Sequence, residues 1–209
     1  MSINNKKNSI KLFTDTDDIR GHKIRIVMAE KGVDADFIEI KTEEDIEKLV
    51  NINPSQKIPT LSDRDLVFDN SHVIIEYLDE RYPHPPLMPV YPSHRAHARS
   101  AMDYINKSWY EYAENIYKGT KEEESAKILA EEISQISDSI ESDYFLGKNF
   151  TLVDCYIAPI LWRINDMQIN LPEKAKQMIK AYSKNLFNRK AFQRSLSNKE
   201  RKIGLNVNI

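Results

Sequence analysis

Five of the nine prolines fall between Pro83 and Pro92, in the run Tyr82-Pro83-His84-Pro85-Pro86-Leu87-Met88-Pro89-Val90-Tyr91-Pro92. Each proline fixes φ and removes a backbone donor, so neither a helix nor an interior strand runs through such a segment. The run divides the chain into residues 1–82 and 93–209, with 83–92 as a stiff linker. A linker is one reading of it. The other is a rigid ridge carrying one histidine, a good shape for docking because little entropy is lost on binding.

Hydrophobic residues make up 41% and charged residues 30%, the balance of a soluble globular protein with an ample core. No apolar run approaches the roughly 20 residues that span a bilayer. Met1 to Lys11 is polar and lacks the apolar centre of a signal peptide. One cysteine, Cys155, rules out an internal disulfide. These features together imply a cytoplasmic protein without membrane contact.

Before the proline run the pattern is mixed. Ile10 to Thr14 reads as a strand, and Asp15-Thr16-Asp17-Asp18 can start a helix that Lys31-Gly32 stops. Phe37 to Ile40 is a second strand, and Glu43 to Val50 a short helix. Ile58 to Leu61 and Leu66 to Phe68 are strands joined by the turn Ser62-Asp63-Arg64-Asp65. A helix from Ser71 to Arg81, with Ile74, Ile75 and Leu78 inward, completes an α/β unit of thioredoxin type.

After the run the pattern is helical throughout. Ser93 is placed to cap one long amphipathic helix carrying Met102, Ile105, Trp109, Tyr112 and Ile116. Lys121 to Glu141 forms a second, with Ile128, Ile133, Ile136 and Ile140 as its apolar residues. Leu152 to Met167 is apolar on most sides and belongs at the buried centre. Thr151 and Asp154 have capping-box spacing, Phe150 and Cys155 take the staple positions, and Pro159 predicts a kink. Cys155 is therefore a packing residue. Helices near Glu173 to Lys184 and Arg189 to Leu196 finish the all-helical part.

A thioredoxin-like half followed by an all-helical half resembles the glutathione transferases. Lys57-Ile58-Pro59-Thr60-Leu61 looks like the segment in which that family places a cis proline. Phe150-Thr151-Leu152-Val153-Asp154 looks like its capping motif. A narrower resemblance runs from Ile10 to Phe192. Ile24 to Val33, Glu76 to Pro92, Leu152 to Tyr156 and Ala158 to Arg163 are similar to the stringent starvation protein A family. That resemblance implies a transcription regulator that binds the RNA polymerase holoenzyme under starvation or stress, with Tyr82, Pro83, His84, Pro85 and Pro86 as the contact.

Catalysis of the glutathione transferase type needs a Tyr, Ser or Cys after the first strand to stabilise the thiolate. Thr14 and Asp18 stand at the aligned positions. Threonine lacks the reach and acidity of tyrosine, and a carboxylate beside a thiolate raises the thiol pKa. Like charges about 4 Å apart cost roughly 1 kcal/mol in water and about 4 at an intermediate dielectric. Asn70-Ser71 stands where the family shows Glu-Ser, so the charge that meets the glutathione amine is missing. No catalytic residue and no cofactor is assigned. The alternative is a glutathione-dependent thiol transferase with an atypical site. His84, His94 and His97, without cysteine or a spaced carboxylate, do not form a metal site.

Residues 1–82 carry 12 basic and 17 acidic side chains, whereas 172–209 carry 10 basic and 2 acidic. The basic end, with Arg189, Lys190 and Arg194, reads as a solvated helical face or as a nucleic-acid surface. Contact with promoter DNA is expected only indirectly, beside bound polymerase. The transferase resemblance also implies a dimer, either a homodimer or a heterodimer with a paralogous chain. A basic dimer cleft suits a small anionic effector.

Overall fold

The computed structural model describes residues 10–15, 18–140 and 142–204. Thr16 and Asp17 of the expected first helix start, and Glu141, the expected last residue of the second long helix, lie outside them; that helix already ends at Ser137. The α/β half runs β1 (Ile10–Thr14), α1 (Ile19–Lys31), β2 (Ala35–Glu39), α2 (Glu43–Ile52), β3 (Thr60–Asp63), β4 (Leu66–Phe68) and α3 (Ser71–Arg81). The sheet order is β2-β1-β3-β4, with β1 and β2 parallel and the other two pairings antiparallel. Local chemistry sets the ends. The Asp18 carboxylate accepts from the Arg20 N–H, and Gly32 closes α1 at φ 63°, where a side chain would be strained. The β3–β4 turn is tighter than its charged sequence implies, because Ser62 and Asp63 pair with Val67 and Leu66.

The helical part runs α4 (Pro92–Lys107), α5 (Trp109–Tyr117), α6 (Glu122–Ser137), α7 (Leu152–Trp162), α8 (Glu173–Phe187), α9 (Lys190–Ser195) and α10 (Asn198–Gly204). Four expectations are corrected here. The single helix through Met102 and Ile116 is two, broken at Ser108, whose hydroxyl donates to the Tyr104 carbonyl at 2.7 Å. Such i−4 back-bonding competes with the ladder and bends helices. Tyr91, not Ser93, is the N-cap of α4, with Pro92 preset for the first turn. The central helix ends at Trp162 rather than Met167, as the chain turns to send Arg163 back into the core. A tenth helix, α10, follows the two expected at the end.

Every residue of α7 is buried, and α1, α4, α5 and α8 pack around it. One buried polar cluster ties it to both ends of the chain. Glu200 of α10 accepts from Arg25 Nη2 on both oxygens at 2.7 Å and is also paired with Arg163. Arg163 Nη1 lies 2.9 Å from His22 Nδ1. A guanidinium only donates, so Nδ1 holds a lone pair and the His22 proton sits on Nε2, facing Ser195 Oγ at 3.3 Å. The 3.3 Å approach of Glu200 Oε1 to His22 Nδ1 is therefore two acceptors around one guanidinium, not an ion pair. Burial, reinforced by Arg163 and Arg25 and opposed by Glu200, pushes His22 well below the usual histidine range. Burial alone would raise Glu200, but its surroundings, with Arg25, Arg163 and the Ser197 N–H among them, hold the carboxyl low.

A pH dependence follows with a definite sign. His22 binds its proton more weakly folded than unfolded, so its contribution is whole above 6.5 and is lost as pH falls below that value. Asp18 and Asp154, both raised by burial, act in the opposite direction at lower pH. His22→Asn keeps an acceptor for Arg163 and cannot protonate. Between pH 7.5 and 5.5 the wild type should lose more melting temperature than this variant. Parallel curves for the two would contradict the assignment of a neutral His22.

Candidate docking ridge and the end of the first strand

Between α3 and α4 the chain runs as an irregular ridge, because its prolines supply no N–H for a ladder. Pro83, His84, Pro85 and Pro86 are all exposed in one row, and the His84–Pro85 peptide is cis. Tyr82 is half-buried, with the Arg81 guanidinium 5.5 Å from its ring centre. Val90 and Tyr91, at the far end, are 81% and 67% exposed. Tyr91 meets the His94 ring edge-on at 5.8 Å. Leu87 and Met88, between them, are buried and hold the ridge to the core.

Beneath the ridge lies a fully buried ammonium. Lys31 Nζ donates to the Pro85 carbonyl at 2.6 Å and pairs with Asp79 Oδ1 at 2.6 Å. The same Asp79 oxygen accepts from the Leu87 N–H at 3.0 Å. The Leu87 carbonyl in turn accepts from the Leu152 N–H at 2.9 Å, at the start of α7. Behind the ridge is a groove of about 800 Å³, bordered by Val90, Tyr91, His94, Leu146, Lys148 and Phe150. Arg189 forms part of its wall. It bonds both oxygens of Glu30, at 2.6 and 2.8 Å, and lies 4.0 Å from the Phe150 ring centre. Arg189 is thus committed to a partner and is not part of a free basic surface.

Pro59 follows a cis peptide from Ile58, and Thr60 Oγ1 donates to the Lys57 carbonyl at 2.6 Å. Asp154 Oδ2 accepts from the Thr151 N–H at 2.7 Å and the Thr151 hydroxyl at 2.9 Å, forming the capping box of α7. Cys155 is wholly buried, and burial pushes its thiol far up, so it is no nucleophile.

At the end of β1 the Thr14 hydroxyl is already engaged. It lies 3.1 Å from Asp18 Oδ2 and 3.2 Å from the Asp15 carbonyl, both acceptors. Its one proton is therefore directed at acceptors in this chain, not outward toward a thiolate. Asn70 caps α3, accepting from the His72 and Val73 N–H groups. The seam between the halves is also spanned. Arg20 pairs with Glu114 at 2.5 Å and donates to Asn106, while Lys23 donates to Asn106 at 2.6 Å. Lys23 is wholly buried between the Tyr110 and Tyr156 rings, at 4.3 and 4.0 Å. Burial drives its pKa well down. His72 and the Tyr156 hydroxyl meet at 2.7 Å. Among the described residues no His, Cys, Asp and Glu cluster suits a metal ion, and no helix is long and apolar enough to cross a membrane.

This architecture defines a protein of the glutathione transferase fold. Residues 8–80 match the family model for the glutathione S-transferase N-terminal domain, and residues 97–190 that for the C-terminal domain. The Tau class glutathione S-transferase of mango, Mangifera indica, superposes with a TM-score of 0.79 at 21% identity, covering 94% of this chain and 96% of that one. A stringent starvation protein A homolog of Histophilus somni is 46% identical over 199 residues, 93% of each chain. Another, from Pasteurella multocida, is 44% identical over 198 residues, again 93% of each. The chain belongs to the stringent starvation protein A family.

Proposed function

We propose that this chain is a non-enzymatic regulator of bacterial transcription that docks on the RNA polymerase holoenzyme through Tyr82, Pro83, His84, Pro85 and Pro86. The observation that carries this reading is the exposed proline row held from below by buried contacts. A surface already fixed before binding loses little entropy on docking, so more of its contact energy appears as affinity. The engagement of Thr14 with acceptors of its own chain supports the absence of thiol chemistry. Starvation or stress is the setting, and the cytoplasm the location, that the family resemblance implies. Assembly as a homodimer, or with a paralogous chain, belongs to the same reading. The exposed apolar residues Leu66, Val67 and Val73 of the α/β half suit a partner surface.

The test is capture of RNA polymerase from bacterial lysate by wild type and by the His84→Ala/Pro85→Ala variant, with folding matched by circular dichroism. The wild type should retain polymerase and the variant should lose it at least tenfold. Equal capture by a folded variant removes the ridge from the interface. Glutathione conjugation that disappears in Thr14→Val would instead establish the transferase reading.

A further inference from the structure

We infer that Lys31 and Asp79 are positioning residues for the ridge, and that shaping it, rather than stabilising the fold, is what their buried ion pair does. This rests on the ridge being the docking surface.

A stretch rich in proline offers its neighbours few backbone handles. The clamp uses two of them, one from each side of Pro86. The Pro85 carbonyl is held by Lys31 at 2.6 Å, and the Leu87 N–H by Asp79 at 3.0 Å. Lys31 is the last residue of α1 and Asp79 lies near the end of α3, so both grips come from regular elements. The Lys31 side chain is 0% exposed and that of Asp79 10%. Withdrawing both charges from water is costly, and their mutual attraction roughly returns that cost. The pair is thus close to neutral for folding, and an apolar pair of similar volume would join α1 to α3 as well. What an apolar pair cannot do is grip Pro85 and Leu87. Lysine and aspartate are needed there for the ridge.

The geometry separates stability from ridge shape, and a double substitution tests the separation. Lys31→Met and Asp79→Leu alone each strand a buried charge and should melt well below wild type. The combination Lys31→Met/Asp79→Leu strands no charge, leaves the Leu87 N–H without a partner, and should melt within about 10 °C of wild type. In that folded double variant the Leu87 amide loses its acceptor and should exchange with solvent at least tenfold faster. Polymerase capture should fall at least tenfold.

A double variant with wild-type Leu87 exchange and wild-type capture overturns the proposal. One that melts more than about 10 °C lower, or does not fold, overturns it too, because the pair would then be supporting the fold. If wild type itself captures no polymerase, the docking reading fails. Leu87 exchange and the melting temperatures then decide the clamp without it.

Discussion

Glu200→Ala should lower stability by roughly 3–5 kcal/mol, the penalty for leaving buried cations without their counter-ion. Arg25 and Arg163 both point at this carboxylate and are nearly inaccessible to water. Two arginines share one acid, so its removal strands two charges. For a chain of this size, about 2–4 °C of melting temperature is lost per kcal/mol, which places the variant about 6–20 °C below wild type. Glu200 also anchors its own segment. Its Oε2 accepts from the Ser197 N–H at 2.7 Å, and its carbonyl accepts from Trp162 Nε1 at 2.9 Å. Trp162 fluorescence should therefore report the loosening of α10 during the same melt. Glu200→Gln retains one acceptor oxygen without the charge and should fall between the two. An alanine variant melting within about 2 °C of wild type would show that the cluster contributes nothing.

The position of Glu200 shows where sequence reasoning stops. It lies in a stretch with a large excess of basic residues, where a carboxylate reads as one more solvated charge. Its partners Arg25 and Arg163 lie far away in sequence, and no local period connects them. Lys31 and Asp79 are hidden in the same way. Lys31 has an ordinary role as a cation at a helix C-terminus, and Asp79 sits in a run of charges ending α3. Only the packing of α1 against α3 makes them partners. Elements set by local chemistry were legible. The Asp18 cap, the Gly32 stop and the boundaries of α3 and β1 follow from neighbouring residues. The Ser108 break was not, because Met102, Ile105, Trp109 and Tyr112 keep helical spacing across it. The proline ridge was visible as an interruption of both patterns, whereas the clamp and groove beneath it come from residues distant in sequence.

The second large effect belongs to Asp154, where a local motif becomes a tertiary joint. Its Oδ1 accepts from the Phe145 N–H at 3.0 Å and the Tyr182 hydroxyl at 2.7 Å. Its Oδ2 takes the Thr151 N–H and hydroxyl. The spacing from Thr151 identifies the capping half, while Phe145 and Tyr182 are contributed by the fold. Asp154→Ala therefore removes the cap of α7 and leaves several buried donors without acceptors, each costing about 1–3 kcal/mol. The effects are not additive, and a total of about 4 kcal/mol is expected, at the upper end for a single substitution. Asp154→Asn keeps one acceptor oxygen and should recover part of it. The loss should not stay local. Leu152 opens α7 and donates to the Leu87 carbonyl, so fraying that end also frees the buried foot of the ridge. Urea unfolding should show the lowered midpoint, and amide exchange should quicken at Leu87 and Leu152 together, under conditions where the variant is still folded. A variant destabilised as expected but with Leu87 exchange unchanged would mean that the ridge is held by Lys31 and Asp79 alone, independently of α7.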